Sequence, residues 1–396
     1  MIPSLNASST PWRSMVMVTL LSHLSFAAEV YSSAISDRVT RLPVQPAVNF
    51  QQFAGYITVD RKSERALFYY FVEAETDPSS KPLVIWFNGA RDNLAFLRRW
   101  FVKFPEYQNS DLFITGEGYA GHYIPQLAEL LIRANKQQKE FNLKGIALGN
   151  PLLEFYIDFN SKAEFLWSHG LISDSTYRIF SRNCTYPRYV SEYYSGNVSS
   201  ICVLVMSTVV SEMSKFVDGY DVTLDVCISS QKMQSLVLSP MQMTGKIDVC
   251  VEDETVNYFN RKDVQRALHA RLVGVSKWQV CSSILDYNML DLAIPTISLL
   301  GSIVKSGILV LDSVIPLTGS RTQIHGLAAR LGLNTTVPYS VCFAGKQVGG
   351  WTQVYGDILS FATIRGASHL APFSQPQRAL VLFKAFLQGR PLPENF

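Results

Sequence analysis

Residues 111–134 read DLFITGEGYAGHYIPQLAELLIRA, and this stretch decides the fold. Residues 111–115 form a short apolar run, and from 123 to about 134 the apolar residues recur as the stripe of an amphipathic helix. Between them stands the glycine corner Gly116-Glu117-Gly118-Tyr119-Ala120-Gly121. Strand, corner and helix repeat outward. Residues 82–87, PLVIWF, are a continuous apolar run ending at Asn88-Gly89, as expected of a strand buried on both faces. A helix is expected next, with Leu94, Leu97, Phe101 and Phe104 on one stripe. Residues 143–148 give another strand, stopped by Gly149-Asn150-Pro151. Strands alternating with helices argue for a largely parallel sheet with helices on both faces.

The flanks are less regular. Residues 53–74 read as a hairpin whose second half is apolar on both faces and is therefore expected to be packed over. From 153 to 260 the rhythm breaks into mixed helical patterns holding four of the six cysteines, so a helical insertion is expected. Asn260 is expected to cap a helix over 261–270, and 307–311 to form a strand running straight into Asp312. A second hairpin over 339–363, turning near Gly349-Gly350, and a helix over 375–387 complete the chain. The expected division is a signal peptide at 1–28, core at 29–152, cap insertion at 153–260 and core again at 261–396.

Composition limits the function. Of 396 residues, 47% are hydrophobic and 17% charged, against about 25% charged for an average soluble protein. Such a chain must bury a large core and is not disordered. Net charge is +3, and the basic residues are scattered, with pairs such as Arg98-Arg99 the longest clusters. This excludes nucleic acid as the partner. Near the N-terminus, Arg13, the apolar run 14–26 and the small pair Ala27-Ala28 form the three parts of a secretory signal. Ser22, His23 and Ser25 interrupt the run, so no membrane span is expected once the signal is removed. The six cysteines show no metal-ligand spacing, and no metal or cofactor is expected. Asn183-Cys184-Thr185, Asn197-Val198-Ser199 and Asn334-Thr335-Thr336 are glycan acceptors in a secreted protein. Together these features predict an oxidising, secretory route.

The corner 116–121, set between strand and helix, matches the nucleophile elbow of α/β-hydrolases. There the central residue carries a serine on a sharp turn, its hydroxyl exposed above the sheet. Downstream come Asp312 and then His369 in a glycine-containing loop, and nucleophile, acid, histidine is the hydrolase chain order. Taken alone, Glu117 also fits a charge complementing a helix dipole, and Asp312 also fits a turn residue. Ser368 beside His369 is a poor substitute nucleophile, because adjacent loop side chains rarely meet in hydrogen-bond geometry. His122, His169, His269 and His325 read as surface or helix-end histidines.

Residues 53–74, 81–89, 91–170 and 247–393 resemble the serine carboxypeptidase family in its plant branch, most specifically at 116–126, 348–351 and 366–372. The resemblance implies an α/β-hydrolase with a helical cap that removes single residues from peptide C-termini in the vacuole or the extracellular space. It implies that Asn88 and Glu117 grip the terminal carboxylate, and that Asp312 and His369 are the triad partners. It also implies the disulfide pairs Cys184 with Cys202 and Cys227 with Cys250.

The chain departs from that pattern at the chemistry. The family elbow is G-E-S-Y-A-G, and here Gly118 holds the serine position. After Asn88-Gly89 the family continues through an oxyanion loop, a strand and a helix, whereas this chain resumes at Arg91-Asp92-Asn93. The central sheet is thus expected to lack one strand, and Cys281 to lack its family partner. The turn before Val314-Ile315-Pro316 is also shortened, which bears on the placement of Asp312. Losing a triad nucleophile costs on the order of 10⁶ in turnover, and losing one oxyanion donor about 10² to 10³. Two function classes follow. One is a serine carboxypeptidase relative without peptidase activity. The other is a non-catalytic secreted binding protein or an unstable truncated product.

Overall fold

The computed structural model describes residues 34–394 apart from 88–91, 223, 228–242, 245–246, 273, 283, 285–288 and 314–316. The chain divides into two compact units. The first comprises residues up to Lys81, Asp92–Gln108 and Phe259–Lys277; the second comprises Pro82–Arg91, Asn109–Tyr258 and Trp278–Phe396.

In the first unit, β1 (Gln52–Asp60) pairs antiparallel with β2 (Arg65–Val72). Asp60 fixes the turn, its carboxylate accepting the Lys62 N–H at 2.8 Å and the Ser63 hydroxyl at 2.7 Å. Phe53 and Phe71 on one face of the ribbon pack with Trp100, Phe104 and Tyr107 in a mostly edge-to-face aromatic cluster. Trp100 comes from the helix Asn93–Lys103, which also buries Phe96, Leu97 and Phe101. The other face differs from the sequence expectation: Phe68, Tyr70 and Val72 are exposed rather than packed over. The Asn93–Lys103 helix covers the face that carries Phe53 and Phe71; on the opposite face Gln52 and Ala54 of β1 are buried, and the exposed apolar side chains belong to β2. The later helix spans Lys262–Ala267 and starts after Arg261, not Asn260; Arg261 turns its guanidinium onto Asp263 at 2.7 Å.

The second unit is built on a seven-stranded sheet in the order β3-β4-β5-β8-β11-β10-β9. The strands are β3 (Leu83–Trp86), β4 (Leu112–Glu117), β5 (Leu143–Gly149), β8 (Leu309–Ser313), β9 (Thr335–Ala344), β10 (Gln347–Tyr355) and β11 (Leu359–Ile364). A separate two-stranded ribbon joins β6 (Met243–Thr244) and β7 (Ile247–Asp248). From β3 to β11 all pairs in the large sheet are parallel. β10 and β9 add antiparallel strands at the edge. β3 and β4 are direct neighbours, from Leu83 opposite Leu112 to Trp86 opposite Thr115, so the backbone groups joining them are satisfied.

Two boundaries move. β8 lies two residues later than the apolar pattern suggested and includes Asp312. The expected hairpin over 339–363 is a three-strand meander that reverses at Gly345 and again at Gly356-Asp357, all with positive φ. Gly349 and Gly350 lie inside β10, where the register with β9 shifts, as a strand glycine at a bulge permits.

Four helices follow β5: Phe155–Ser168, Asp174–Arg182, Tyr186–Tyr194 and Ser200–Met213. The middle two start at Ser173 and Thr185, whose hydroxyls accept the Thr176 and Arg188 N–H groups. Leu166, Phe180 and Val205 form their buried centre with the disulfide Cys184–Cys202. A second disulfide joins Cys227 to Cys250, while Cys281 is free and exposed and Cys342 free and buried. Among the described residues, no helix is long and apolar enough to cross a membrane.

Candidate active site

β4 ends in Glu117, the chain turns at Gly118, and the helix Ala120–Gln137 begins at once. Gly118 has φ +62°, the left-handed region that glycine enters without cost. The corner is pinned on both sides. Its N–H donates to the Gly149 carbonyl at 2.9 Å, and its carbonyl accepts the Leu152 N–H at 2.9 Å. Gly121 is fixed by close approach, since a Cβ there would lie 2.4 Å from the Leu152 carbonyl oxygen. The elbow packs this tightly because glycines stand at the positions of positive φ and close approach, Gly118 and Gly121.

His369 stands opposite. A Cβ on Gly118 would meet His369 Nε2 at 3.2 Å and Cε1 at 3.5 Å. The histidine is half-buried, and burial lowers its pKa, favouring the neutral ring. Its main chain is held from two sides. The N–H donates to the Tyr220 carbonyl at 3.0 Å, and the carbonyl accepts the Asn150 side-chain amide. The Tyr220 ring lies 5.2 Å from the imidazole, centroid to centroid. Asn150, with φ +45°, leaves the end of β5 in the left-handed region that asparagine tolerates. Sequence reading marked Asn150 only as a strand stop and missed Tyr220. The local signal for the first was the Gly149-Asn150-Pro151 triplet; the second had none.

Glu117 lies over Gly149, where a Cβ would be 2.5 Å from Glu117 Cγ. Burial pushes its carboxyl up to about 7, against the opposing effect of a hydrogen bond from the Ala371 N–H. Two residues after His369, the same loop thus reaches the residue before the corner.

The backbone of Asp312 lies in β8, opposite Leu148 of β5 and Phe361 of β11. It is inside the strand rather than after its end, and its side chain lies outside the described residues, as does the whole of Asn88. In the strand order, the elbow follows β4 and His369 follows β11, with Asp312 on β8 between them. Because these strands are parallel, all three positions belong to the carboxyl edge of one sheet.

Ser368 is turned away, its hydroxyl bonded to Ser374 at 3.0 Å and to the Leu370 carbonyl at 3.2 Å. His122 is not at the surface. It is buried, stacked on Tyr119 at 4.7 Å, and its Nε2 has no partner. The side chains of Asn183, Asn197 and Asn334 belong to exposed residues. Among the described residues, no group of three or more metal-ligating side chains converges.

A mixed sheet of this order, with a glycine elbow after one parallel strand and a histidine loop after another, is the α/β-hydrolase architecture. A serine carboxypeptidase family model matches residues 43–89 and 90–389. Serine carboxypeptidase-like 45 of Arabidopsis thaliana is 56% identical over 462 aligned positions, covering 98% of this chain and 100% of that protein. Serine carboxypeptidase-like 46 of the same plant is 54% identical over 459 positions, covering 96% and 99%. The chain belongs to the serine carboxypeptidase family. In fold it is similar to Kex1(delta)p, a prohormone-processing carboxypeptidase from Saccharomyces cerevisiae. That likeness has a TM-score of 0.65 at 16% identity and covers 90% of this chain and 96% of the other.

Proposed function

We propose that this chain is a serine carboxypeptidase relative that recognises peptide C-termini but has lost serine-type peptidase turnover. One observation carries the reading: the corner position whose Cβ would sit 3.2 Å from His369 Nε2 is a glycine. A serine there would be within reach of a general base; Gly118 has no hydroxyl to activate. The family match in two pieces meeting at Gly89 and Ala90 supports an internal loss at that point. An alignment of 462 positions against a chain of 396 residues supports it further. With that segment goes the oxyanion loop.

Recognition rests on Glu117. With its carboxyl pushed up to about 7, it is protonated in an acidic lumen and can donate a hydrogen bond to a terminal carboxylate. Asn88 is the second carboxylate ligand and Asp312 the group that orients His369. The two disulfides, the three exposed sequon asparagines and the signal-like first 28 residues support passage through the secretory pathway.

The test is a blocked-dipeptide assay run beside calorimetry on a short peptide with a free C-terminus and its C-terminal amide. The expected outcome is no turnover, with the free carboxylate bound more tightly at pH 5 than at pH 8. Turnover that a serine-directed phosphonate abolishes, or equal affinity for acid and amide, would overturn the reading.

A further inference from the structure

We propose that this site hydrolyses activated aryl esters slowly, with His369 activating water directly and no acyl-protein intermediate. The proposal goes beyond peptide recognition but rests on the same reading of the elbow. A Cβ at position 118 would meet only the edge of the His369 ring within 4 Å. The first atom of a serine side chain would occupy that space. Without it, a water oxygen can stand within hydrogen-bond reach of Nε2.

The base is suitable. His369 is half-buried and its pKa is lowered by burial, so the neutral ring has a lone pair to accept a proton. Its main chain is held by the bonds to Tyr220 and Asn150, and its ring lies against that of Tyr220, with no contact that depends on a hydroxyl at position 118. A fixed base beside a small open space is the arrangement general-base catalysis of hydrolysis needs. The elbow supplies one further element, the N–H of the residue after the corner, here Tyr119, as a donor for a developing oxyanion.

The step balances as follows. Nε2 takes a proton from water, and the freed O–H electron pair forms the new C–O bond to the acyl carbon. The carbonyl electron pair moves onto oxygen, then returns as the bond to the phenolate oxygen breaks. The phenolate leaves with that bonding pair, and the imidazolium gives its proton to solvent. An aryl ester suits this site because its leaving group needs no protonation, whereas a peptide amine does.

Magnitude follows from the same reasoning. A triad enzyme stripped of one member retains about 10³ to 10⁴ over water. Loss of one oxyanion donor removes about 10² to 10³ of that. The bound ester should therefore react up to about 100-fold faster than in buffer.

The experiment uses the full secreted chain with a p-nitrophenyl ester, before and after exhaustive treatment with a fluorophosphonate. The expected result is steady release proportional to protein, unchanged by the phosphonate and slowed in D2O. His369→Gln should fall to the buffer rate. Should that variant fail to fold, Gly118→Ala serves instead, because its Cβ fills the space beside Nε2. Activity lost to the phosphonate, kept by a folded His369→Gln or Gly118→Ala chain, or absent from the wild-type chain would overturn the proposal. Absence of esterase leaves the peptide-recognition reading standing. Phosphonate-sensitive cleavage of blocked dipeptides overturns that reading itself.

Discussion

Gly118 and His369 face each other so closely that a single Cβ on the glycine would come within 3.2 Å of the imidazole Nε2. The corner and the histidine are 251 positions apart in the chain, yet parallel strands bring them to one edge of the sheet. The spacing is that of a nucleophile and its base, and Gly118 carries no hydroxyl.

Restoring that hydroxyl tests how much of the machinery remains. Gly118→Ser places a hydroxyl within reach of Nε2, at a backbone angle that costs a non-glycine residue roughly 1 kcal/mol or somewhat more. The variant should react with a serine-directed phosphonate, which the wild-type chain should not. On the proposed loss of the oxyanion loop, its peptidase rate should stay about 10² to 10³ below an ordinary member. Intact-protein mass spectrometry reads the first outcome and a blocked-dipeptide assay the second.

Asn150 holds the carbonyl of His369 through its side-chain amide. Asn150→Ala should cost about 1–3 kcal/mol by leaving that carbonyl without its donor. It should also shift the His369 imidazole signal in a proton NMR titration. A change in stability with the imidazole signal unmoved would show that the asparagine supports only the fold.

Asp158 is half-buried and carries no role in the site. Its carboxylate accepts the N–H groups of Leu153 at 2.8 Å and Glu154 at 2.9 Å, together with the Gln323 side-chain amide. Burial nevertheless pushes its pKa up to about 6, with the neighbouring Glu154 charge adding to the rise. A carboxyl whose pKa is raised on folding binds its proton more tightly in the native state. Its ionisation therefore lowers stability as pH rises from about 4 to about 6. The Asp158→Asn chain should lose that slope and gain, at pH 7, on the order of 3 kcal/mol at most. Denaturant melts at pH 4 and pH 7 check both.

The disulfides should be separable from the free thiols by mass. Non-reducing peptide maps should recover Cys184 with Cys202 and Cys227 with Cys250. Cys281 should alkylate in the native protein. Cys342 should not, being buried with its thiol pKa raised by that burial. Each bond closes a loop of about 20 residues, worth about 3 kcal/mol in the chain-entropy model, so reduction should lower the melting temperature measurably.

The sequence by itself determined the strand-elbow-helix unit, because apolar runs, a glycine corner and a helical stripe are local signals. It also determined that the corner position carries no hydroxyl, since Gly118 is read directly. Other features needed the fold. That β3 lies beside β4 depends on which backbone groups find partners once the chain is compact, and no residue in 83–87 encodes its neighbour. The open face of β2, with Phe68 and Tyr70 exposed, was invisible to a rule that equates apolar with covered. The hold of Asn150 and Tyr220 on His369 joins residues more than 140 positions apart, through backbone carbonyls and an amide that carry no sequence signature. Local propensity therefore specified the elements, and residue identity the bare corner at Gly118. Only tertiary packing decided that His369 stands next to it.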